Sequence, residues 1–345
     1  MKVDDGQIIQ NLEKNPIPFT YPKVSIFRRI FIRLLPLVLI AAALIYSIEG
    51  LTIVLILFVL VVPFEKIFPR HKDQNIRRPY LATDVSYAII APLMGVFATF
   101  IAIIVGVLSF AWIPGLIIRP WVEQIPESIA PYVAFLIFDF VIYWTHRFYH
   151  EIPVLWRFHT IHHSTEHLDW ASGFRGHPFD GTIAAPAFFF MVAAGFDPEL
   201  TGLFAVVQIL LGLFLHANVS WRLSFLHKIV ITPEFHHWHH TNETDAIWTN
   251  YSTFLPIWDI IFGTYFMPKN RRPQIYGVSE HIPDGIVNQL KYPLRNLGNP
   301  LWALRHPFKS IRIALNFVFI LLKEMKKSIF RKRKKIGETP WLENQ

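Results

Sequence analysis

The sequence contains no cysteine, and it carries few charges for its length. In 345 residues this absence excludes disulfides, a thiolate-ligated haem and an iron–sulfur cluster held by this chain. Charged residues make up only 17%, whereas 52% are hydrophobic and the mean hydropathy is +0.34. Ordinary soluble domains are less apolar. The composition therefore predicts an integral membrane protein, and any electrons that it uses must come from an external donor.

Long uncharged runs support this interpretation. Residues 85–118 have no charged side chain, and residues 34–62 have only Glu49, whereas a spanning helix needs roughly 20 apolar residues. We expect a membrane hairpin over residues 30–68, a third span over residues 85–112 and a fourth over residues 131–144. Two 16-residue stretches, 181–196 and 200–215, are short for a crossing and predict a re-entrant hairpin. The expected fold is all-α, with about four spanning helices, the re-entrant hairpin and a cytosolic histidine-rich cap.

The net charge of +8 comes from basic residues beside the apolar runs, such as Arg77, Arg78 and the tail 331–335. This placement favours anionic lipid as a partner over nucleic acid. The positive-inside rule puts the histidine motifs on the cytoplasmic side. Four regions are expected: a cytosolic tail (1–29) with no signal-peptide cleavage pattern, a membrane hairpin and basic loop (30–83), a catalytic domain (84–267) and an interfacial C-terminal region (268–345).

Thirteen of the sixteen histidines lie between His146 and His240, most of them in three motifs. Spacings of three and four residues place imidazoles on one helix face, within reach of a shared metal ion. Because one ion cannot accept so many ligands, the pattern predicts two. The expected ligands are His146, His150, His159, His162, His163, His216, His236, His239 and His240, and all of these except His216 are also expected to be catalytic.

Four further residues are candidates for the same site. His167 and His177 are additional ligand candidates, although a loop role for His177 is also open. Asp139 and Asp259 are candidates for accepting hydrogen bonds from ligating imidazoles, which need such acceptors to fix their tautomer. For Asp259 a helix cap or an ion pair is an equal alternative.

Several motifs occur in one order along residues 84–266. They are Asp139, Tyr143-Trp-Thr-His-Arg-Phe-Tyr-His150, Trp156-Arg-Phe-His-Thr-Ile-His-His163, Arg175-Gly-His-Pro178, His216-Ala-Asn218, Pro233-Glu-Phe-His-His-Trp-His-His240, Asn250-Tyr251 and Trp258-Asp-Ile-Ile-Phe-Gly-Thr264. In this combination the chain resembles the fatty acid hydroxylase superfamily, in its sterol desaturase-like branch. The resemblance implies a membrane oxygenase that holds two iron ions, uses O2 and an external redox donor protein, and hydroxylates or desaturates a lipid.

Two other classes stay open from the residues alone. A zinc-dependent membrane hydrolase also uses histidines and carboxylates, although a catalytic zinc usually takes three protein ligands. A metal-handling protein without enzymatic activity is the second alternative, although it predicts histidines spread through the membrane depth. Neither the lipid substrate, the choice between hydroxylation and desaturation, nor the oligomeric state can be predicted from the sequence.

Overall fold

The structure is a computed structural model that describes residues 59–75, 77–295 and 305–330. In these ranges the chain is helical, and no β-strand forms beyond two isolated bridges. Residues 59–67 are helical. The helices that follow are α1 (Leu81–Leu108), α2 (Trp112–Val122), α3 (Ala130–Glu151), α4 (Pro153–His163), α5 (Ala185–Ala193), α6 (Pro198–Leu215), α7 (Pro233–His239), α8 (Ile257–Ile261), α9 (Ile286–Lys291) and α10 (Pro307–Phe330).

The all-α fold is therefore confirmed for the described residues. The predicted cytosolic tail, the basic tail and most of the predicted N-terminal hairpin lie outside the described residues. Contacts divide the chain into residues 1–52 and 53–345, and everything described below belongs to the second unit.

Among the described helices, one has the length and apolarity of a membrane span, and a second has them if its two bent halves form one span. Helix α6 meets both criteria over its 18 residues. It is longer than the predicted stretch because it begins at Pro198, after Asp197 caps it by accepting from the Glu199 backbone N–H at 2.8 Å. Helix α1 meets them only if its two halves count together, since it bends by 71° between Ile90 and Met94. Pro92 lies in that bend, where it removes a backbone N–H donor. The predicted span at residues 131–144 forms the first part of α3, which is not among these candidates.

The apolar core joins α3 to α5 and α6. Ala134, Phe138 and Ile142, spaced four apart on α3, are fully buried and pack with Ala187 and Met191 of α5. Phe204 of α6 and other apolar side chains complete the contact. This core holds the C-terminal half of α3, which carries the first histidine motif, at a fixed position.

A buried ion-pair cluster fixes the start of α1. Asp84 forms an ion pair with Arg78 at 2.7 Å and accepts from Arg175 at 2.5 Å, and Arg78 also binds Asp169. Removal of one member of a buried pair typically costs about 3–5 kcal/mol, because an uncompensated charge remains. The cluster therefore ties α1 firmly to the segment around Arg175 that borders the histidines.

Candidate metal centre

The nine histidines predicted as ligands converge in two groups. The five-histidine group contains His146, His150, His159, His163 and His239, and the four-histidine group contains His162, His216, His236 and His240. Within each group, one ring nitrogen from every residue lies within 4.8 Å of all the others. An ion with a metal–nitrogen distance of about 2.1 Å separates opposite ligands by about 4.2 Å. Each group is thus the size of a single-ion site.

A sharp break between α3 and α4 assembles the five-histidine group. Ile152 is extended (φ −106°, ψ 117°), as expected for a residue before a proline, and Pro153 then begins α4. The chain folds back, so that His159 and His163 on α4 meet His146 and His150 at the end of α3.

The four-histidine group is built at the ends of α6 and α7. His216 follows the last residue of α6 and approaches His236 with ring centroids 4.4 Å apart. Thr232 caps α7 by accepting from the Phe235 backbone N–H. The two groups adjoin directly, because His163 of one stacks on His240 of the other at 4.1 Å. Two bound ions would therefore lie side by side.

Hydrogen bonds at Nδ1 set the tautomer of five of these rings. A backbone carbonyl can only accept, so each ring nitrogen facing one carries the proton. His146 donates to Tyr251 O (2.7 Å), His162 to Arg175 O (2.8 Å), His216 to Gly212 O (2.6 Å) and His239 to Thr249 O (3.0 Å). His159 donates to the Asp180 carboxylate at 3.2 Å. The other nitrogen, Nε2, is left with its lone pair available for a metal.

Two pairs of Nε2 atoms then face each other closely. His146 and His159 approach to 3.2 Å, and His216 and His236 to 3.3 Å. In the first pair both rings carry their proton on Nδ1, so two lone pairs point together unless a cation lies between them. Neighbouring ligands at right angles around one ion are about 3 Å apart. The donor set and its spacing thus fit bound metal.

Burial keeps these imidazoles neutral, which is the form that binds metal. Eight of the nine are buried and His162 is partly exposed. Desolvation lowers the pKa of His159 to about 3. Desolvation, together with the nearby His159, lowers the pKa of His162 to about 4. For His150 and His163 the pKa is also well below its usual range, with further lowering by neighbouring histidines.

Asp180 is a site residue that the sequence reasoning missed. It lies in a 3₁₀ helix, Pro178–Thr182, where its second oxygen accepts from the His177 backbone N–H at 3.1 Å. The available signal was an acidic residue in the first turn after the His177-Pro178 pair. Because 21 residues separate Asp180 from His159, helical spacing alone could not connect them.

Contrary to what had been expected, Asp139 and Asp259 do not bind the histidine rings directly. Asp139 accepts from the Leu255 backbone N–H and the Trp258 indole, and Asp259 accepts from the backbone N–H groups of Tyr251 and Ser252. Among the described residues, no histidine is a hydrogen-bond partner of either carboxylate. Both instead hold the segment whose Tyr251 carbonyl orients His146.

The two additional candidates belong to neither group of the described structure. His177 caps the 3₁₀ helix, accepting from the Phe179 backbone N–H at 3.1 Å, which corresponds to the loop role left open above. His167 is partly exposed and lies elsewhere in the same loop region. His237 faces away from the groups and contacts the Tyr276 hydroxyl and the Ala217 carbonyl.

A cavity of about 320 Å³ reaches both histidine groups. His146 and His159 line it from one group, and His162, His216 and His236 from the other. The remaining wall is mostly apolar and comes from α1, α6 and the segment 173–183 between them; it includes Met94, Ala98, Ile183, Ile209 and Leu213. The cavity is thus suited to an apolar molecule that contacts the histidines.

Known proteins resemble this chain over the segment that carries the histidines. Residues 131–264 match the family model for fatty acid hydroxylase. Ornithine lipid hydroxylase OlsE of Rhizobium tropici is 32% identical over 186 residues, covering 52% of this chain and 54% of the relative. The alkylglycerol monooxygenases of Danio rerio and Homo sapiens are each 32% identical over 151 residues, covering 44% of this chain and 33% of theirs. No solved structure matches significantly.

The chain therefore spans about half the length of the first of these relatives and a third of the other two. The matched segment contains both histidine groups in full, together with Asp139, Asp180 and Asp259. Over residues 131–264, which carry both histidine groups, the chain is similar to the fatty acid hydroxylase family.

Proposed function

We propose that the protein is a membrane-bound lipid hydroxylase that holds two iron ions and uses O2. The observation that carries this proposal is the pair of adjoining all-imidazole groups that border a mostly apolar cavity. Iron bound there would supply O2 activation and the oxidation of an unactivated C–H bond. The named activities of the relatives, a hydroxylase and a monooxygenase, favour hydroxylation over desaturation.

The protein's own part is to orient ligands and substrate. Backbone carbonyls and Asp180 hold the rings in the metal-binding tautomer, and burial keeps them neutral. The apolar wall of the cavity excludes water and aligns a lipid against the histidines. The proposed site lies at the cytoplasmic side of the membrane, where α6 ends at His216, with its substrate arriving laterally.

Hydroxylation also requires two electrons. One O2, two electrons and two protons convert C–H to C–OH and release one water. Because the chain has no cysteine to hold an iron–sulfur cluster, we propose a separate redox protein as the donor. The basic residues of the predicted cytoplasmic face suit an acidic donor and, at the tail 331–335, anionic lipid.

The number and position of the histidines favour this function over a zinc hydrolase. A catalytic zinc usually takes three protein ligands and keeps one position for water, whereas the groups here offer five and four. The histidines also lie together in the described structure, rather than along a path through the membrane as a transporter would require.

Metal analysis and isotope labelling test the proposal together. Full-length protein purified without added metal is expected to contain about two iron ions per chain. With ¹⁸O2, a lipid extract and a reducing system, one lipid species should gain a labelled oxygen. His150→Ala and His240→Ala, one from each group, should abolish this product, whereas His281→Ala, an exposed histidine outside both groups, should not. Turnover without O2 would refute the oxygenase, and an unlabelled product two mass units lighter would replace hydroxylation by desaturation.

A further inference from the structure

The five-histidine group also contacts a pair of tryptophans that lie outside the cavity lining. Two of its members, His146 and His159, line the cavity, and the other three do not. One of those three, His150, instead contacts Trp156 and Trp248, with ring centroids 5.3 Å apart in each case. Neither tryptophan lines the cavity. A molecule in the cavity and the tryptophans therefore contact different histidines of the same group.

The two tryptophans connect the buried ligands with the protein surface. Their ring centroids are 4.7 Å apart, and Trp156 also contacts His163 at 5.5 Å. His150 and His163 are buried, whereas both tryptophan side chains are partly exposed. Electron transfer between side chains is fastest where aromatic rings are in contact. The pair is thus a continuous aromatic path from the metal ligands to the surface.

The backbone at Trp248 adopts a conformation that is unusual for a large side chain. Its φ is 65°, in the left-handed region that bulky residues rarely occupy. Such a conformation persists only where the surrounding structure enforces it, and it is common at functional sites. The next residue, Thr249, supplies the carbonyl that accepts from His239. The same turn therefore provides the anchor of one ligand ring and the aromatic contact of another.

Two tyrosines also contact this group, but neither reaches the surface. Tyr149 lies 5.9 Å from His159 and Tyr251 lies 5.2 Å from His150, and their side chains are 3% and 0% exposed. Oxidation of a phenol releases its proton, and the Tyr251 hydroxyl has no hydrogen-bond partner in the described structure that could take it. An indole can lose an electron while it keeps its proton. The tryptophans are therefore the better electron donors to the surface path.

An oxygenase of the proposed kind needs an outlet for oxidising equivalents when no lipid is bound. Two electrons and two protons release one water from O2, and the remaining oxidising power then has no substrate C–H bond to attack. The nearest oxidisable groups are the histidine rings themselves. Two further electrons and two protons convert the remaining oxygen to a second water and remove the hazard.

We propose that Trp156 and Trp248 form an electron relay that protects the histidines in the absence of lipid. The indoles give up electrons to the metal site one at a time, and the external redox donor returns each electron to the relay at the surface. The protons come from water. After two electrons have passed, a second water has formed, the donor is oxidised and the tryptophans are unchanged. This inference rests on the proposed function and adds a protective activity to it.

Freeze-quench electron paramagnetic resonance tests the relay with hydrogen peroxide, which replaces O2 and the first two electrons. Full-length protein in detergent, loaded with Fe²⁺ and free of lipid, is mixed with peroxide. A tryptophan radical is expected, and ring-deuterated tryptophan should narrow its signal. The double variant Trp156→Phe/Trp248→Phe should lose the signal, and each single variant should reduce it. Trp221→Phe, a partly exposed position whose ring contacts Phe64 and Phe68, should keep it.

Mass spectrometry of the same samples gives a second measurement. Oxidation of the His150 ring should rise in the double variant, because the oxidising equivalents stay at the metal ligands. Added ascorbate should protect His150 in the unsubstituted protein more than in the double variant, since only the former has a path to the surface. Binding of Co²⁺ checks that the histidine groups are intact. If the double variant does not bind cobalt, the two single variants decide the question.

The relay is overturned if the unsubstituted protein forms no tryptophan radical, if the radical survives both substitutions, or if oxidation of His150 is the same with and without the tryptophans. The proposed function fails separately. A protein that forms the radical with peroxide but gives no ¹⁸O-labelled lipid would refute only the hydroxylase. An active hydroxylase whose histidine damage does not depend on Trp156 and Trp248 would refute only the relay.

Discussion

Replacement of Asp180 by asparagine should weaken metal binding in the five-histidine group alone. The two carboxylate oxygens of Asp180 accept from different donors, His159 Nδ1 at 3.2 Å and the His177 backbone N–H at 3.1 Å. An amide has one oxygen and one NH2 group. In either orientation of the amide, its NH2 group faces one of the two donors, so Asp180→Asn loses one of the two hydrogen bonds.

The size of the effect follows from these contacts. A hydrogen bond to a charged group contributes about 1.5–3 kcal/mol, and the Asp180 side chain is only 14% exposed, so water replaces it poorly. Loss of an imidazole's outer partner typically lowers metal affinity about tenfold to a hundredfold, which is about 1.4–2.7 kcal/mol. The two values agree. A carboxylate-to-amide change in the exposed Arg119–Glu123 pair, Glu123→Gln, should have no such effect.

Competition between the protein and a chelator for Co²⁺ measures this affinity. The full-length protein should bind in two phases, and His216→Ala should remove the phase of the four-histidine group. In that background, Asp180→Asn should weaken the remaining phase about tenfold or more. Unchanged affinity, or equal weakening of both phases when His216 is present, would show that Asp180 does not hold His159 for the metal.

Two further predictions concern the cavity and the pH dependence of stability. Gly95 lines the cavity and a Cβ built on it meets nothing within 4 Å, so Gly95→Leu should fill the space and lower lipid turnover about tenfold or more with normal metal content. Gly202→Leu on α6 also meets nothing within 4 Å but lies outside the cavity lining, and should leave turnover unchanged. In the metal-free protein, the ligand imidazoles have folded pKa values below their unfolded value of about 6.5, such as about 4 for His162. Their contribution to the free energy of unfolding is therefore complete above pH 6.5 and lost below it, at about 1.4 kcal/mol per group and pH unit down to the folded pKa. Denaturant titrations of chelator-treated protein at pH 7.5, 6.5 and 5.5 check this, and equal stability at all three values would contradict it.

Helical spacing explains much of the metal centre. His146 and His150, His159 and His163, and His236 and His240 are each four apart, and each pair stays within one group. The histidine that lies three residues after the first member of a pair behaves differently. His162 and His239 turn towards the opposite group from the pair in their own motif, since three residues on a helix fall short of a full turn and four exceed it.

Other features depend on contacts that local sequence does not encode. The carbonyls that orient His146, His162 and His239 belong to segments 10 to 105 residues away. Trp248 and Asn250 adopt positive φ values of 65° and 60°, which turns the chain around Thr249 and Tyr251, and no pattern in the sequence indicates this. The extent of α6 depends on the cap at Asp197, which lengthens an apolar run that is short by composition alone.

The use of backbone carbonyls to hold the rings has a consequence for how the cavity can change in evolution. Four of the five ring anchors come from the main chain, at Gly212, Arg175, Thr249 and Tyr251. A carbonyl remains the same acceptor when its side chain is replaced, so selection can alter the neighbouring cavity wall with little change in the orientation of the ligands. Substitutions in the cavity wall can therefore change which molecules fit, while the histidine groups keep their arrangement.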